Sequence, residues 1–286
     1  FAPRTPQSIP PTHIIPWVKR DALKVPRLEA DLVRWMALLA ASDQTTREYG
    51  FILITGGSGT GKTRTGLELP NILKDLVRDQ GWDLVHVLYS VKEDLNRSTQ
   101  DESTYERPPP DPASMRKARH TFVKHFTRLY GVADSRNLTL EDALLASRAA
   151  DRLPENQYRL ILFQMDEFQR NKRFSTHFLR SWIASLASGV LFKTKTLIVP
   201  ILSGTWNSPP EGLFATDPKV HLTTLAGLDE LEDAQRFFQL HVGEGFEETP
   251  MHNRLLVSLG FIPRLLQYYA EYCKTQAILR VTDKNF

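Results

Sequence analysis

The 286-residue chain lacks several features that would assign its class at once. Its one cysteine, Cys273, excludes an internal disulfide, and a chain of this size without disulfides is typical of the cytosol or nucleus. The net charge is only +3, which does not by itself indicate a nucleic-acid-binding protein. The longest apolar run, near residues 186–202, is interrupted by Lys193 and Lys195, so no membrane span is expected.

The remaining composition is that of an ordinary globular protein. Hydrophobic residues make up 41% and charged residues 24%, which argues against collagen-like, coiled-coil and wholly disordered chains. The length allows one large domain or two modest ones. Residues 1–26 are rich in proline and predict an extended arm. Because the chain begins at Phe1 without a secretory-signal pattern, we expect a fragment or a processed form of an intracellular protein.

Short apolar runs alternate with segments of helical periodicity along most of the chain. Strands are predicted at Gly50–Thr55, Asp83–Ser90, Arg159–Met165, Thr196–Leu202 and Val220–Leu225. Helices are predicted at Pro26–Ser42, Lys62–Asp79, Ser114–Tyr130, Ser175–Ser188, Asp229–Leu240, Pro250–Leu259 and Pro263–Cys273. A further helix is predicted to start near Thr139, where Asp142 is placed for a capping box. This alternation predicts an α/β fold with a mainly parallel sheet that binds ligands at the carboxyl ends of its strands.

A glycine-rich motif follows the first predicted strand. The segment Gly56–Thr63, GGSGTGKT, matches G-x-x-x-x-G-K-[ST]. Glycines let backbone N–H groups wrap a polyphosphate, and the following helix directs its positive end at the anion. Lys62 would then bridge the β- and γ-phosphates, and the Thr63 hydroxyl would ligate Mg²⁺. The phosphate-binding residues are predicted to be Gly57, Ser58, Gly59, Thr60, Gly61, Lys62, Thr63 and Arg64. The alternative is a glycine-rich turn with a chance lysine.

Two acidic residues follow the third predicted strand. Asp166 is a candidate Mg²⁺ ligand, and Glu167 is then placed to orient and deprotonate an attacking water. A hydrolase needs such a carboxylate, whereas a small-molecule kinase does not. The alternative is that the two acids simply open a solvated loop.

Further polar candidates follow the last strands. Ser203, Thr205 and Asn207 are candidates for sensing the γ-phosphate and holding the attacking water, with ordinary turn formation as the alternative. Arg264, in the first turn of the last helix, is a candidate second sensor, with an exposed arginine as the alternative.

Two groups of basic residues are candidates for contacts with other molecules. Arg170 and Arg173 are candidates for an arginine finger toward a neighbouring subunit, with solvent exposure as the alternative. A basic helix at residues 115–128 is a candidate for following the phosphates of DNA or RNA, with a solvated face as the simpler alternative. Its basic residues are Arg116, Lys117, Arg119, His120, Lys124, His125 and Arg128. No spacing indicates a zinc site, and Cys273 is expected to be a core residue.

In this order, the phosphate loop, acidic pair, polar turn and Arg264 resemble the additional-strand P-loop ATPases, the group that includes AAA+ and STAND proteins. The resemblance implies a three-layer α/β/α fold with a five-stranded sheet, in which the strand at 196–202 lies between those at 50–55 and 159–165. It also implies a helical lid after Leu225. We therefore expect an arm at 1–26, a core at 27–226 with an insertion at 91–150, and a lid at 227–286.

A narrower resemblance involves two short strings. Gly61–Leu69 and Asp166–Gln169 are similar to the NTPase domain of Crinkler effectors and the related retrotransposon-hot-spot proteins. That family implies action in the nucleus, in some members on DNA, and a secreted effector that enters a host nucleus. Its nuclease activity is not expected here, because no PD-(D/E)xK pattern is found.

The motifs and the resemblance together predict a Mg²⁺-dependent ATPase. ATP and Mg²⁺ are the expected cofactors, with ATP rather than GTP implied only by the resemblance. The candidate partners are DNA or RNA and further copies of the chain, with no membrane. Two alternatives stay open: an ATP-gated switch that binds a protein partner and hydrolyses slowly, and a kinase for a small molecule or nucleoside.

Overall fold

A computed structural model of the chain describes residues 25–43, 48–90, 112–168, 172–205, 219–225, 230–242 and 250–283, with Ala2, Arg4, Thr45 and Leu228. In these residues, five strands alternate with nine helices. The strands are β1 (Gly50–Gly56), β2 (Asp83–Ser90), β3 (Arg159–Asp166), β4 (Thr196–Gly204) and β5 (Lys219–Leu225). The helices are α1 (Val25–Ala40), α2 (Lys62–Asp79), α3 (Pro112–Arg128), α4 (Leu140–Ala150), α5 (Lys172–Ala187), α6 (Val190–Lys193), α7 (Leu231–Val242), α8 (Pro250–Ser258) and α9 (Pro263–Asp283).

The five strands form one sheet in the order β2-β3-β4-β1-β5, and every neighbouring pair is parallel. This confirms the predicted α/β fold class. It also confirms that β4 lies between β1 and β3, as the resemblance implied. All five carboxyl ends therefore meet at one edge of the sheet, where Asp166 of β3 is in register with Ser203 of β4.

The predicted elements are all present: α2 and β2 have the predicted bounds, and the others differ at one or both ends. The largest difference is at α9, which continues from Cys273 to Asp283, because no glycine or proline follows Pro263 to stop it. The short helix α6 was not predicted, because four residues are too few to show helical periodicity. The capping box of α4 is present, with the Thr139 side chain bonded to the backbone of Asp142 and Asp142 bonded back.

Buried apolar side chains form two clusters. The larger one covers both faces of the sheet and ends in sequence at Leu225. Helices α3 and α4 belong to it, since Phe122, Phe126 and Leu144 are buried there. The smaller cluster joins α7, α8 and α9 and begins at Leu228, with Cys273 partly buried at its margin.

Three contacts of the predicted arm are described. The Ala2 N–H donates to the Tyr130 carbonyl at 3.1 Å, and Arg4 donates to the Leu84 carbonyl at 3.0 Å and to Asp83 Oδ1 at 3.4 Å. Val25 and Pro26, at the end of the predicted arm, belong to α1. The rest of the arm and residues 91–111 lie outside the described residues. None of the described helices has both the length and the apolar character needed to cross a membrane.

Candidate functional site

The phosphate-loop motif lies between β1 and α2 at the carboxyl edge of the sheet. Gly61 is the N-cap of α2 and has no side chain to bond to the first turn, an arrangement that suits an anion at the helix start. Gly59 has a φ of 81°, and a Cβ there would lie 2.7 Å from the Cβ of Arg264. Glycine is therefore required at Gly59 both by its backbone conformation and by the close approach of α9.

Lys62 lies folded over this loop. Its side chain is only 9% exposed, and Nζ donates a 2.5 Å hydrogen bond to the Gly57 carbonyl. Burial lowers the pKa of Lys62 below its ordinary value. The Asp166 carboxylate opposes this lowering, Arg264 adds to it, and Glu167 opposes it. The lysine and three charged groups predicted for the site are thus close enough to affect one another.

Asp166 is held by two hydroxyl groups from different elements. Thr63 Oγ1, in the first turn of α2, donates to Asp166 Oδ1 at 2.9 Å, and Ser203 Oγ, on β4, donates to the same oxygen at 2.8 Å. Adjacent oxygens around octahedral Mg²⁺ with bonds of 2.0–2.1 Å are also about 2.9 Å apart. Thr63 and Asp166 therefore fit a shared magnesium site, both in their oxygen ligands and in spacing.

Glu167 follows Asp166 in an unusual backbone conformation. Its φ is 54°, in the left-handed region that non-glycine residues adopt rarely and that is enriched at functional sites. The residue is half-buried. The chain thus turns sharply just after the strand tip, where the predicted base lies.

Arg264 reaches the phosphate loop from the start of α9. Its N–H lies 3.4 Å from the Gly59 carbonyl, and its Nη1 lies 3.5 Å from Ser58 Oγ. The side chain is exposed. Arg264 is therefore already next to the loop that it was predicted to reach.

The remaining predicted residues have different surroundings. Ser203 is fully buried and bonded to Asp166, so it contacts the carboxylate directly. The side chain of Arg64 is paired with Glu68 at 2.5 Å along α2. The predicted contact of Arg64 with phosphate would therefore come from its backbone amide. Thr60 donates to the Gly57 carbonyl at 3.0 Å, and Thr205 is exposed. Arg170, Asn207 and the side chain of Arg173 lie outside the described residues.

The basic residues of α3 do not all share one face. Arg119 donates to Ser181 of α5 at 3.2 Å, and His125 is buried against Tyr89. At 100° per residue, the other five fall within an arc of about 120°. That arc carries Arg116, Lys117, His120, Lys124 and Arg128. Five of the seven basic residues at 115–128 therefore share one side of the helix, and the opposite side packs into the core.

Sequence reasoning missed two polar side chains behind the site. Gln164 of β3 is fully buried, and its Nε2 lies 3.2 Å from the Thr63 carbonyl and 3.5 Å from Ser203 Oγ. Its Oε1 lies 3.1 Å from Nε2 of His86 on β2. Burial lowers the pKa of His86 to about 4, so its ring is neutral at pH 7. A glutamine within the apolar string RLILFQMD was the available signal, since a buried amide needs hydrogen-bond partners.

Comparisons with known proteins give similarity in chain path alone. No protein-family model and no curated relative matches the sequence. The structure aligns with the ORC1 protein of Aeropyrum pernix, solved in complex with DNA, at a TM-score of 0.49 and 12% identity, over 94% of this chain and 63% of that one. It aligns with ORC2 of the same organism, solved in ADPNP and ADP complexes, at a TM-score of 0.46 and 14% identity, over 82% of this chain and 53% of that one. It aligns with PCH-2 of C. elegans at a TM-score of 0.40 and 14% identity, over 87% of this chain and 50% of that one. The chain therefore spans about half to just under two thirds of the length of these proteins.

Proposed function

We propose that the protein is a Mg²⁺-dependent nucleoside triphosphatase that hydrolyses ATP. The observation that carries the proposal is the meeting of Thr63 and Asp166 at 2.9 Å beside the buried Lys62. A glycine-rich loop, a buried cation and a pair of metal-ligating oxygens are the groups that a magnesium-bound triphosphate requires.

Each residue has a role that follows from its contacts. The amides of Gly57–Arg64 surround the phosphates, and Lys62 leaves the Gly57 carbonyl to bridge the β- and γ-phosphate oxygens. Thr63 and Asp166 hold the metal, and Ser203 keeps Asp166 oriented. Mg²⁺ bound there would neutralise charge on the β- and γ-phosphate oxygens.

Glu167 is the proposed general base. It accepts a proton from water as the water oxygen attacks the γ-phosphorus, the bond to the β–γ bridging oxygen breaks, and ADP and inorganic phosphate leave. Arg264, and Thr205 after β4, are proposed to contact the γ-phosphate. Arg264 would then couple hydrolysis to movement of α9.

Phosphate release by Glu167→Gln tests this function. We expect steady release by the unmodified chain and a fall of about 10²- to 10⁴-fold in the variant, because a positioned base contributes about that much. ATP binding should be retained, since the amide has nearly the shape of the carboxylate. Glu155→Gln, an exposed position, is the matched control and should release phosphate normally.

Other outcomes point to the two alternatives. Tight ATP binding with negligible release by either protein would favour an ATP-gated switch. Release only when an acceptor is added, with labelled phosphate on that acceptor, would favour a kinase. A fall of less than tenfold in Glu167→Gln would remove Glu167 from the role of base.

A nucleic-acid partner is favoured by the basic face of α3. Its five residues extend over about 18 Å of helix, from Arg116 to Arg128. One nearby acid, Asp134, is bound by Arg136 at 2.8 Å, so its charge is largely compensated. We propose that this face contacts the phosphates of DNA or RNA, as expected of an ATPase module of the Crinkler type.

A further inference from the structure

Gln164 contacts Thr63 directly and Asp166 through Ser203. One amide hydrogen points toward the Thr63 carbonyl at 3.2 Å and the other toward Ser203 Oγ at 3.5 Å. Thr63 and Ser203 both donate to Asp166 Oδ1. The side chains of Gln164, Ser203 and Asp166, with the side chain and backbone carbonyl of Thr63, thus close a ring of hydrogen bonds.

The contacts fix the orientation of the amide. The Thr63 carbonyl only accepts hydrogen bonds, so Nε2 of Gln164 must face it and Oε1 must face His86. The neutral His86 ring must then carry its hydrogen on Nε2 and donate it to Gln164. A rotation of the amide by 180° would turn Oε1 toward the Thr63 carbonyl, so this carbonyl fixes the orientation of the amide, and His86 binds the oxygen at its other end.

Gly66 provides the space for this amide. A Cβ at position 66 would lie 2.4 Å from Gln164 Nε2 and 2.5 Å from its Cδ, well inside any tolerable contact. Glycine within a helix normally costs stability relative to alanine. Its presence in the second turn of α2 is explained by the close approach of the Gln164 side chain.

We propose that Gln164, packed against Gly66 and oriented by the Thr63 carbonyl, is a positioning residue that sets Thr63 and Asp166 at the separation needed to bind Mg²⁺. This inference rests on the proposed function. Groups behind metal ligands typically change metal affinity or activity by about 10- to 100-fold when removed. The competing explanation is that Gln164 only fills the core, in which case its loss would affect folding alone.

A double-mutant cycle of Gly66→Ala and Gln164→Ala separates the two explanations. The first measurement is the urea midpoint without nucleotide or metal. Gly66→Ala should lower it in the presence of Gln164, because the new methyl displaces the amide. It should raise the midpoint in the Gln164→Ala background, because the clash is gone and alanine is the better helix former. The same sign of effect in both backgrounds would overturn the steric part of the proposal.

The second measurement is the ATP dissociation constant with and without Mg²⁺, in a Glu167→Gln background that prevents turnover. We expect each single change to reduce the Mg²⁺-dependent gain in affinity by about 10- to 100-fold, with metal-free ATP binding retained. The double variant should be no worse than Gln164→Ala. Thr196→Ala, a buried polar residue at the opposite end of β4, should lower stability without changing the Mg²⁺-dependent gain.

The results distinguish this inference from the function on which it rests. If the parent binds ATP with a Mg²⁺-dependent gain that Gln164→Ala retains, the positioning role is wrong and the proposed function stands. If the parent shows no Mg²⁺-dependent gain, both are wrong.

Discussion

At the scale of single residues, a fully buried and fully paired charge lies far from the candidate site. Arg159, the first residue of β3, is fully buried. It bonds to Asp83 at 2.7 Å and Asp151 at 2.5 Å, and also to Tyr130 and Ser147. The carboxylates balance its charge, and the network joins β2, β3, α4 and the turn after α3. Because these contacts lie at the amino edge of the sheet, they contribute to the fold and not to the site.

Replacing Arg159 with leucine should therefore destabilise the protein strongly. Asp151 would be left largely buried without its cation and Asp83 would keep only the 3.4 Å contact with Arg4, a loss that typically costs about 3–5 kcal/mol. The measurement is urea unfolding followed by circular dichroism. Arg136→Leu is the matched control, because Arg136 also binds an aspartate, Asp134, but is 81% exposed, so its midpoint should hardly move. Equal midpoints for the two variants would contradict the buried network as a source of stability.

At the scale of elements, the sequence predicted the strands well because each is a short apolar run bounded by polar residues or glycine. The partners across strands could not be predicted in the same way. The contact of His86 with Gln164 and that of Ser203 with Asp166 depend on strand order and register, which local patterns do not contain. The order was implied only by the resemblance. The split of the basic helix depended likewise on which side of α3 packs against α5.

The position of the last turn of α3 shows in which direction the helix runs relative to the sheet. Tyr130, just after α3, bonds to Arg159 at the amino edge of the sheet. The helix therefore begins toward the carboxyl edge, where the phosphate loop lies. A nucleic acid bound along this face would extend toward the edge of the sheet that carries the phosphate loop.

Reversing three charges on this face should weaken nucleic-acid binding. In Arg116→Glu/Lys117→Glu/Lys124→Glu, we expect at least tenfold weaker binding of labelled single- or double-stranded oligonucleotides, measured by fluorescence anisotropy. The slope of log affinity against log salt should fall by about 0.7–0.9 for each phosphate that the variant no longer neutralises. The control reverses Arg27, Lys74 and Arg254, which are exposed on other helices, for the same change in net charge. Equal binding by both triple variants would remove α3 as the contact surface.

At the scale of the whole molecule, the two apolar clusters are linked in part at the phosphate loop. The Leu228 N–H donates to the Phe261 carbonyl at 2.8 Å, so the chain leaving β5 is tied to the turn that starts α9. In that turn, Gly260 and Phe261 both have positive φ angles, of 63° and 54°. The start of α9 lies against Gly59, so a ligand in the loop would lie next to α9.

Arg264 gives this arrangement a measurable consequence, discrimination between ATP and ADP. If its guanidinium contacts the γ-phosphate, Arg264→Ala should weaken ATP binding by about tenfold or more, the usual effect of losing a charge-assisted hydrogen bond. ADP binding should change little, because ADP lacks that phosphate.

The measurement is calorimetric titration of both nucleotides with Mg²⁺, in the Glu167→Gln background. Arg254→Ala, an exposed arginine of α8, should leave the ATP-to-ADP affinity ratio unchanged. An equal loss for both nucleotides in Arg264→Ala would mean that the arginine acts on the loop or the shared phosphates, and coupling of α9 to hydrolysis through the γ-phosphate would be wrong.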